Sequence, residues 1–100
     1  MSREIVLEED GVAMFVRRGW YERKVVFAGV KGSPDRWFLR KGMWVLVEFK
    51  RPDKPADGNQ IRRHRELREH GQEVHVIDNF DKCLELCIAM TEESDRRAAA

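Results

Sequence analysis

The chain has 100 residues and a formal net charge of +1 at pH 7, with 42% hydrophobic and 37% charged residues. This composition supports one domain with one modest core and leaves no room for a separate targeting module. No apolar run approaches the roughly 20 residues of a membrane helix, and the N-terminus has no signal-peptide pattern. We therefore expect an intracellular, soluble protein with no membrane partner.

Hydrophobic periodicity and turn residues predict seven elements. They are three helices, at about residues 2 or 3 to 18, 58–70 and 79–90, and four strands, at about 20–27, 35–40, 43–50 and 73–78. Gly19 and Gly71 are suited to end the first two helices, and Asp57 is suited to cap the second. The order α-β-β-β-α-β-α predicts an α/β fold of three layers, in which helices flank a central mixed sheet.

The C-terminal end has no apolar stripe, so we predict one domain over residues 1–90 and a disordered tail over residues 91–100. Cys83 and Cys87 lack partners at zinc-site spacing and are interpreted as reduced core residues. The histidines form no ligand cluster at short spacing, and we interpret all three as structural: His64, His70 and His75.

The end of the third predicted strand carries charge in an otherwise apolar run. Side chains on a strand alternate, so Glu48 and Lys50 point to one face and Phe49 to the other. Both faces are apolar upstream, which is typical of a covered, central strand. Because burying an unpaired charge is costly, we expect this pair at the lip of a cleft. The hairpin with the preceding strand brings Asp35 beside Glu48.

These residues suit metal-dependent hydrolysis of a phosphodiester. The carboxylates of Asp35 and Glu48, with the backbone carbonyl of Phe49, offer the hard oxygen ligands that Mg²⁺ or Mn²⁺ prefers. Lys50 is suited to orient or deprotonate the attacking water, or to stabilise the transition state. The alternatives are an exposed ion pair at a sheet edge and, around Pro34, a simple turn.

Pro34-Asp35 followed by Glu48-x-Lys50 is similar to the bipartite motif of the PD-(D/E)XK nuclease superfamily. Further residues extend the similarity, namely Gly19, Lys24, Gly32, Arg36, Pro52, Gln60, Leu67, Gly71 and the segment Val74-His75-Val76-Ile77. Over about residues 4–80 the sequence resembles a stand-alone VRR-NUC domain of the small type that bacteriophages carry.

The resemblance implies a restriction-endonuclease-like fold and assigns five residues to the active site, which are Asp35, Glu48, Lys50, Gln60 and Glu4. The first three match the motif itself, and Gln60 matches the family's glutamine on the next helix. The family's acidic residue on its first helix best matches Glu4 by its distance from Gly19, with Glu8 and Glu9 close by.

The resemblance also implies a function. It points to an Mg²⁺- or Mn²⁺-dependent DNA endonuclease without an organic cofactor, selective for branched DNA such as Holliday junctions. We expect a homodimer, because so small a nuclease needs a second subunit to grip a duplex. The expected location is the host cytoplasm if a phage encodes the chain.

The second predicted helix is strongly basic and adjoins the expected site. Cationic contacts there would bind DNA phosphates without reading the base sequence. The predicted DNA-binding residues, on this helix and around the cleft, are Arg62, Arg63, Arg65, Lys24, Lys31 and Arg36. The alternative is a solvated helix whose arginines pair with Glu66 and Glu69.

Two other functions remain open from the sequence: a DNA-binding module of the same fold without cleavage, and a small regulatory protein that binds another protein. Asp35, Glu48 and Lys50 argue against the first, since a pure DNA binder has no need of carboxylates facing a phosphate. A protein-binding role predicts no affinity for DNA that falls with rising salt.

Overall fold

The protein is described by a computed structural model over residues 3–100. Its elements are α1 Arg3–Arg17, β1 Tyr21–Lys24, β2 Arg36–Arg40, β3 Met43–Phe49, α2 Gly58–Glu69, β4 Val74–Ile77 and α3 Phe80–Ala99. The predicted order is confirmed, and the four strands form one mixed sheet.

The sheet has the strand order β1-β2-β3-β4. Lys41 and Gly42 join β2 to its antiparallel partner β3, and both have positive φ, of 49° and 80°. Two positive φ values in a two-residue connection fit a type I′ turn, whose twist matches that of paired strands. β4 runs parallel to β3, and α2 supplies the crossover that a parallel pair requires. β3 is therefore a central strand, as predicted.

The two faces of β3 are covered by different helices. Val45, Val47 and Phe49 join the main core with residues of α1 and α3. Gly11 of α1 lies so close that a Cβ there would be 2.8 Å from the Phe49 ring, so the helix backbone rests directly on the strand. Glu48 points to the opposite face, where α2 lies. The sheet thus separates α1 and α3 from α2, which is the predicted three-layer arrangement.

The first strand is shorter than predicted. The sequence predicts a strand over residues 20–27, whereas β1 covers Tyr21–Lys24. Its partner β2 begins at Arg36, directly opposite Lys24, so the ladder ends there. Trp20 is instead a buried core residue, with its ring edge-on to Phe15 at a centroid distance of 5.6 Å.

The C-terminal residues also differ from the prediction, because α3 continues to Ala99 rather than ending near residue 90. The hydroxyl of Thr91 accepts a hydrogen bond from the Trp20 indole at 3.0 Å. Ser94 is fully buried and accepts one from Arg40, which also pairs with Asp95 at 2.6 Å. These contacts are polar, so hydrophobic periodicity gives no sign of them.

The structure bears on two further expectations, the absence of a membrane helix and the burial of the two cysteines. Among the residues described, no helix is long and apolar enough to cross a membrane. Cys83 and Cys87 are free and fully buried, as predicted for core thiols. Burial raises the pKa of Cys83 to about 11, so this thiol remains protonated and unreactive at neutral pH.

We predict that Arg40→Gln lowers the free energy of unfolding by about 1–3 kcal/mol. The substitution leaves the buried Ser94 hydroxyl with one partner fewer and removes the ion pair with Asp95 near the end of α3. Urea denaturation followed by circular dichroism measures this change. Arg96→Gln is the matched control, since the ion pair of that exposed arginine within residues 3–100 is with Glu93 on its own helix. Equal stability of the two variants would contradict the prediction.

Candidate active site

The charged end of β3 lies deeper than the sequence suggests. Glu48 is 1% exposed and Lys50 is 6% exposed, although the pair was expected at the lip of a cleft. The backbone nitrogen of Lys50 donates to the carbonyl of Ile77 at 2.8 Å, which extends the parallel pairing with β4 past the end of the strand. Glu48 thus lies on β3, the most completely buried strand of the sheet, and Lys50 is the residue directly after its end.

Asp35 is brought to this strand by the β2–β3 hairpin. The last antiparallel pair joins Arg36 to Val47, so Phe49 lies beyond the ladder. The Asp35 carboxylate accepts there the hydrogen bond that a carbonyl of a neighbouring strand would otherwise accept, with 3.1 Å between its Oδ2 and the Phe49 nitrogen. This bond fixes Asp35 next to Glu48.

The environment of Glu48 favours its protonated form. Burial raises the pKa of Glu48 to about 9, helped by a hydrogen bond with Asp35 and by the negative charges of Asp35 and Glu4, while Lys50 acts in the opposite direction. Glu48 therefore carries a proton at neutral pH unless another cation is close. The two carboxyls form an acidic pair that can ionise fully only when positive charge is supplied.

The acidic residues of α1 have different surroundings. Glu4 is close enough to Glu48 for its charge to raise the pKa of that carboxyl. Glu8 instead accepts a hydrogen bond from Arg36 at 2.6 Å, and Glu9 is exposed. Of the three candidates, Glu4 is the one that the structure brings to the site.

Gln60 lies in a helix cap. Its Oε1 accepts a hydrogen bond from the Asp57 nitrogen at 3.0 Å, and Asp57 Oδ1 accepts one from the Gln60 nitrogen at 2.9 Å. This is a capping box, so the amide oxygen of Gln60 is occupied by its own helix. Only its NH₂ group remains for the predicted active-site role.

The sequence predicts a structural role for His64, whereas the structure places this residue at the site. It lies one turn after Gln60 on α2, and its Nε2 is 3.5 Å from Glu48 Oε1. Burial lowers the pKa of His64, and the positive charges of Arg68 and Lys50 lower it further, so the imidazole is neutral at pH 7. The spacing of four residues between Gln60 and His64 is the sequence feature that indicates a place at the site for His64, because residues four apart share one face of a helix.

The predicted DNA-binding residues fall into two groups. Arg36 is held between Glu8 and Glu22, at 2.6 and 2.5 Å, and Arg63 pairs with Glu66 at 3.0 Å. The remaining four are exposed and have no ion pair with any residue that the structure describes; they are Lys24, Lys31, Arg62 and Arg65. The second group is thus the one available to phosphates.

A cavity of about 350 Å³ adjoins Lys50. Its apolar walls come from Val6, Leu7, Pro52 and Phe80, and Phe80 is half exposed. Asp10, Asp78 and Asn79 supply its polar edge. The lysine is therefore accessible from a mostly apolar concavity even though little of its own surface is exposed.

No family model and no curated protein matches the chain. A solved structure described as a VRR_NUC domain does match: it is 27% identical, it covers 86% of this chain and 95% of its own, and its TM-score is 0.80. The chain is a VRR-NUC domain. The resemblance drawn from the motif is thus confirmed, together with the restriction-endonuclease-like fold. VRR-NUC domains are nucleases, so the chain belongs to a nuclease class.

The residues of this VRR-NUC site fit a divalent cation. Asp35 and Glu48 bring two carboxyls together, and Glu48 Oε1 has no hydrogen-bond partner among the described residues. A cation would offset the burial and the neighbouring negative charge that raise the Glu48 pKa. Within residues 3–100, no group of three or more His, Cys, Asp or Glu side chains is arranged to hold a metal. Two carboxylates would leave positions for water and phosphate oxygens, as Mg²⁺ favours.

We predict that Glu48→Gln stabilises the metal-free VRR-NUC domain at neutral and alkaline pH, by about 1–3 kcal/mol at pH 8. The folded-state pKa of about 9 exceeds the ordinary value of 4.5. Wild-type stability is therefore full below about pH 4.5 and falls as pH rises towards 9, whereas glutamine has no proton to lose. Thermal unfolding in EDTA from pH 4 to 9 measures the difference.

The control for this experiment is Glu85→Gln, on the exposed side of α3. The difference between wild type and Glu48→Gln should vanish near pH 4 and grow with pH, while Glu85→Gln follows the wild type throughout. A constant difference across the whole pH range would show that the effect is one of packing rather than of ionisation.

Proposed function

We propose that this VRR-NUC domain is an Mg²⁺- or Mn²⁺-dependent endonuclease that hydrolyses DNA phosphodiester bonds. The observation that carries the proposal is the acidic pair of half-buried Asp35 and fully buried Glu48, beside Lys50. Such a pair is costly to bury and destabilises the metal-free fold, which suits a site built to receive a cation and a phosphate rather than one built for stability.

Each residue of the site has a role in this proposal. Asp35 and Glu48 would hold the ion, with the Phe49 carbonyl as a further ligand. The bound ion would lower the pKa of a water and offset charge on the phosphate. Lys50 would orient that water, or stabilise the negative charge that develops in the transition state. Glu4 and the free NH₂ group of Gln60 would support the site from α1 and α2.

DNA is the substrate that the charge distribution favours. Arg62 and Arg65 are exposed on α2, the helix that also reaches Glu48 through His64. A DNA strand whose phosphates bind along this helix would have its backbone close to the acidic pair. Because a 100-residue domain offers little surface, we propose that it acts as a homodimer, whose two sites would cut opposite strands.

Branched DNA is the proposed substrate class, with Holliday junctions or similar intermediates as examples. The cavity beside Lys50 supports this choice, since Val6 and Phe80 offer apolar surface in the same cavity that Lys50 lines. Stacking on apolar and aromatic side chains requires a base whose face is not covered by a neighbouring base pair. Flaps supply unpaired bases next to the point of cutting, and the open centre of a four-way junction exposes the faces of the base pairs at its branch point.

We predict that Glu48→Gln and Lys50→Met each reduce cleavage by at least about 100-fold, because each removes a charge that acts on the phosphate or its attacking water. Labelled duplex, flap and four-way-junction DNA with Mg²⁺ or Mn²⁺ are the substrates for this assay. Lys54→Met, on the exposed loop before α2, is the control and should cut normally.

The results separate the three functions considered. Preferred cutting of junctions or flaps, lost in both site variants, supports the proposal in full. Cutting that survives Glu48→Gln would place the chemistry elsewhere. DNA binding without cleavage by the wild type under either metal would favour a binding module, and an absence of salt-dependent DNA binding would favour a protein-binding role.

We predict that replacing both Arg62 and Arg65 with Gln weakens DNA binding and makes the binding less sensitive to salt. The negative slope of log K against log salt should become shallower by about 1–2, since each phosphate contact contributes about −0.9 to that slope. Fluorescence anisotropy over a range of NaCl concentrations measures the slope. Arg96→Gln combined with Arg97→Gln is the control, because these exposed arginines on α3 carry the same charge elsewhere. Equal slopes for both double variants would count against α2 as the DNA surface.

A further inference from the structure

Two buried polar atoms face each other at the candidate site without a hydrogen bond. His64 Nε2 and Glu48 Oε1 are 3.5 Å apart, and their side chains are 4% and 1% exposed. Neither atom has a hydrogen-bond partner among the residues described. An unpaired buried polar atom costs about 1–3 kcal/mol, so the arrangement is expensive unless the two atoms pair during function.

We propose that His64 is a positioning residue, which donates a hydrogen bond from Nε2 to Glu48 Oε1 and holds that carboxylate in its metal-binding orientation. The inference rests on the proposed function, because it takes Glu48 to be a metal ligand. A contraction of about 0.5 Å brings the two atoms within the ordinary hydrogen-bond range. Contacts of this kind are often long in a free enzyme and tighten when the site is filled.

The position of the proton on the His64 ring allows only one such arrangement. A neutral imidazole carries a single N–H, on either Nδ1 or Nε2. Once Glu48 is ionised, as a metal ligand must be, Oε1 can only accept. A proton on Nε2 then pairs both buried atoms at once, whereas a proton on Nδ1 leaves two acceptors facing each other. The Nε2–H tautomer is therefore the one that the site favours.

The helix that carries His64 is held firmly against the Asp35 segment. The capping box of Asp57 and Gln60 fixes its first turn. Gly32, which has a φ of 98°, packs against the same turn so closely that a Cβ there would be 2.7 Å from the Gln60 nitrogen. His64 is thus presented to Glu48 from a rigid element, as a positioning residue requires.

A role as an outer partner agrees better with the structure than a role as a third ligand. Within the described part of the chain, no three His, Cys, Asp or Glu side chains are arranged to hold a metal. Outer partners that orient a ligating group commonly change metal affinity by about 10–100-fold. That magnitude sets the size of the effect to be measured.

The test is Mn²⁺ binding by isothermal titration calorimetry in the absence of DNA. His64→Leu keeps the site filled but removes the donor, and we expect it to weaken Mn²⁺ binding by about 10–100-fold. His64→Gln places an amide donor near the position of Nε2 and should bind within about threefold of the wild type. His75→Leu is the matched control, because His75 lines a separate cavity with Met90.

A second measurement reads the tautomer directly. Long-range ¹H–¹⁵N correlation spectra of the Mg²⁺-loaded protein assign the proton of a neutral imidazole to one nitrogen. We expect Nε2–H for His64. An Nδ1–H tautomer would overturn the proposal, because no hydrogen bond to Glu48 could then be donated. This spectrum uses the wild type, so it decides the matter even if His64→Leu does not fold.

The outcomes distinguish this inference from the proposed function. Wild-type protein that binds Mn²⁺ and cuts DNA, with His64→Leu binding Mn²⁺ equally well, overturns the positioning role alone. His64→Gln that binds as weakly as His64→Leu also overturns it, because packing rather than a donor would then matter. Wild-type protein that binds neither Mn²⁺ nor Mg²⁺ overturns both.

Discussion

The burial of one carboxyl at the end of the central strand is the constraint on which the rest of the site depends. Glu48 is costly in that position, and its surroundings come from two other segments of the chain and from the residue that follows its own strand. Asp35 directly precedes β2, His64 lies on α2, and Lys50 directly follows β3. Each of these neighbours changes the charge or the hydrogen bonding available to Glu48, so the site behaves as one coupled unit.

The strand ends of the sheet explain how these segments meet. β3 extends beyond its antiparallel partner, and its next backbone nitrogens turn to opposite sides. Phe49 donates to the Asp35 side chain, and Lys50 donates to the Ile77 carbonyl on β4. The backbone groups that a shorter neighbour would leave unpaired are thus used to hold a carboxylate on one side and to continue the sheet on the other.

Much of this site could be predicted because it depends on local rules. Strand alternation places Glu48 and Lys50 together, and a tight hairpin fixes the position of Asp35. The position of His64 depends on how α2 docks on the sheet, which no local pattern encodes. The same limit applies to the last turns of α3, where Arg40 and Trp20 bind a polar part of the helix that has no hydrophobic stripe. Gln60 was predicted as a site residue, but the sequence equally contained the capping box that occupies its oxygen.

Gly32 illustrates how a residue without a functional group can govern a site. Any side chain there would meet the backbone of the first turn of α2, and its φ of 98° disfavours other residues in any case. A substitution would push the helix outward, and every group that the helix carries would move with it. In a library of variants, position 32 would therefore score like a catalytic position while contributing no chemistry, and sensitivity to mutation alone would misidentify it.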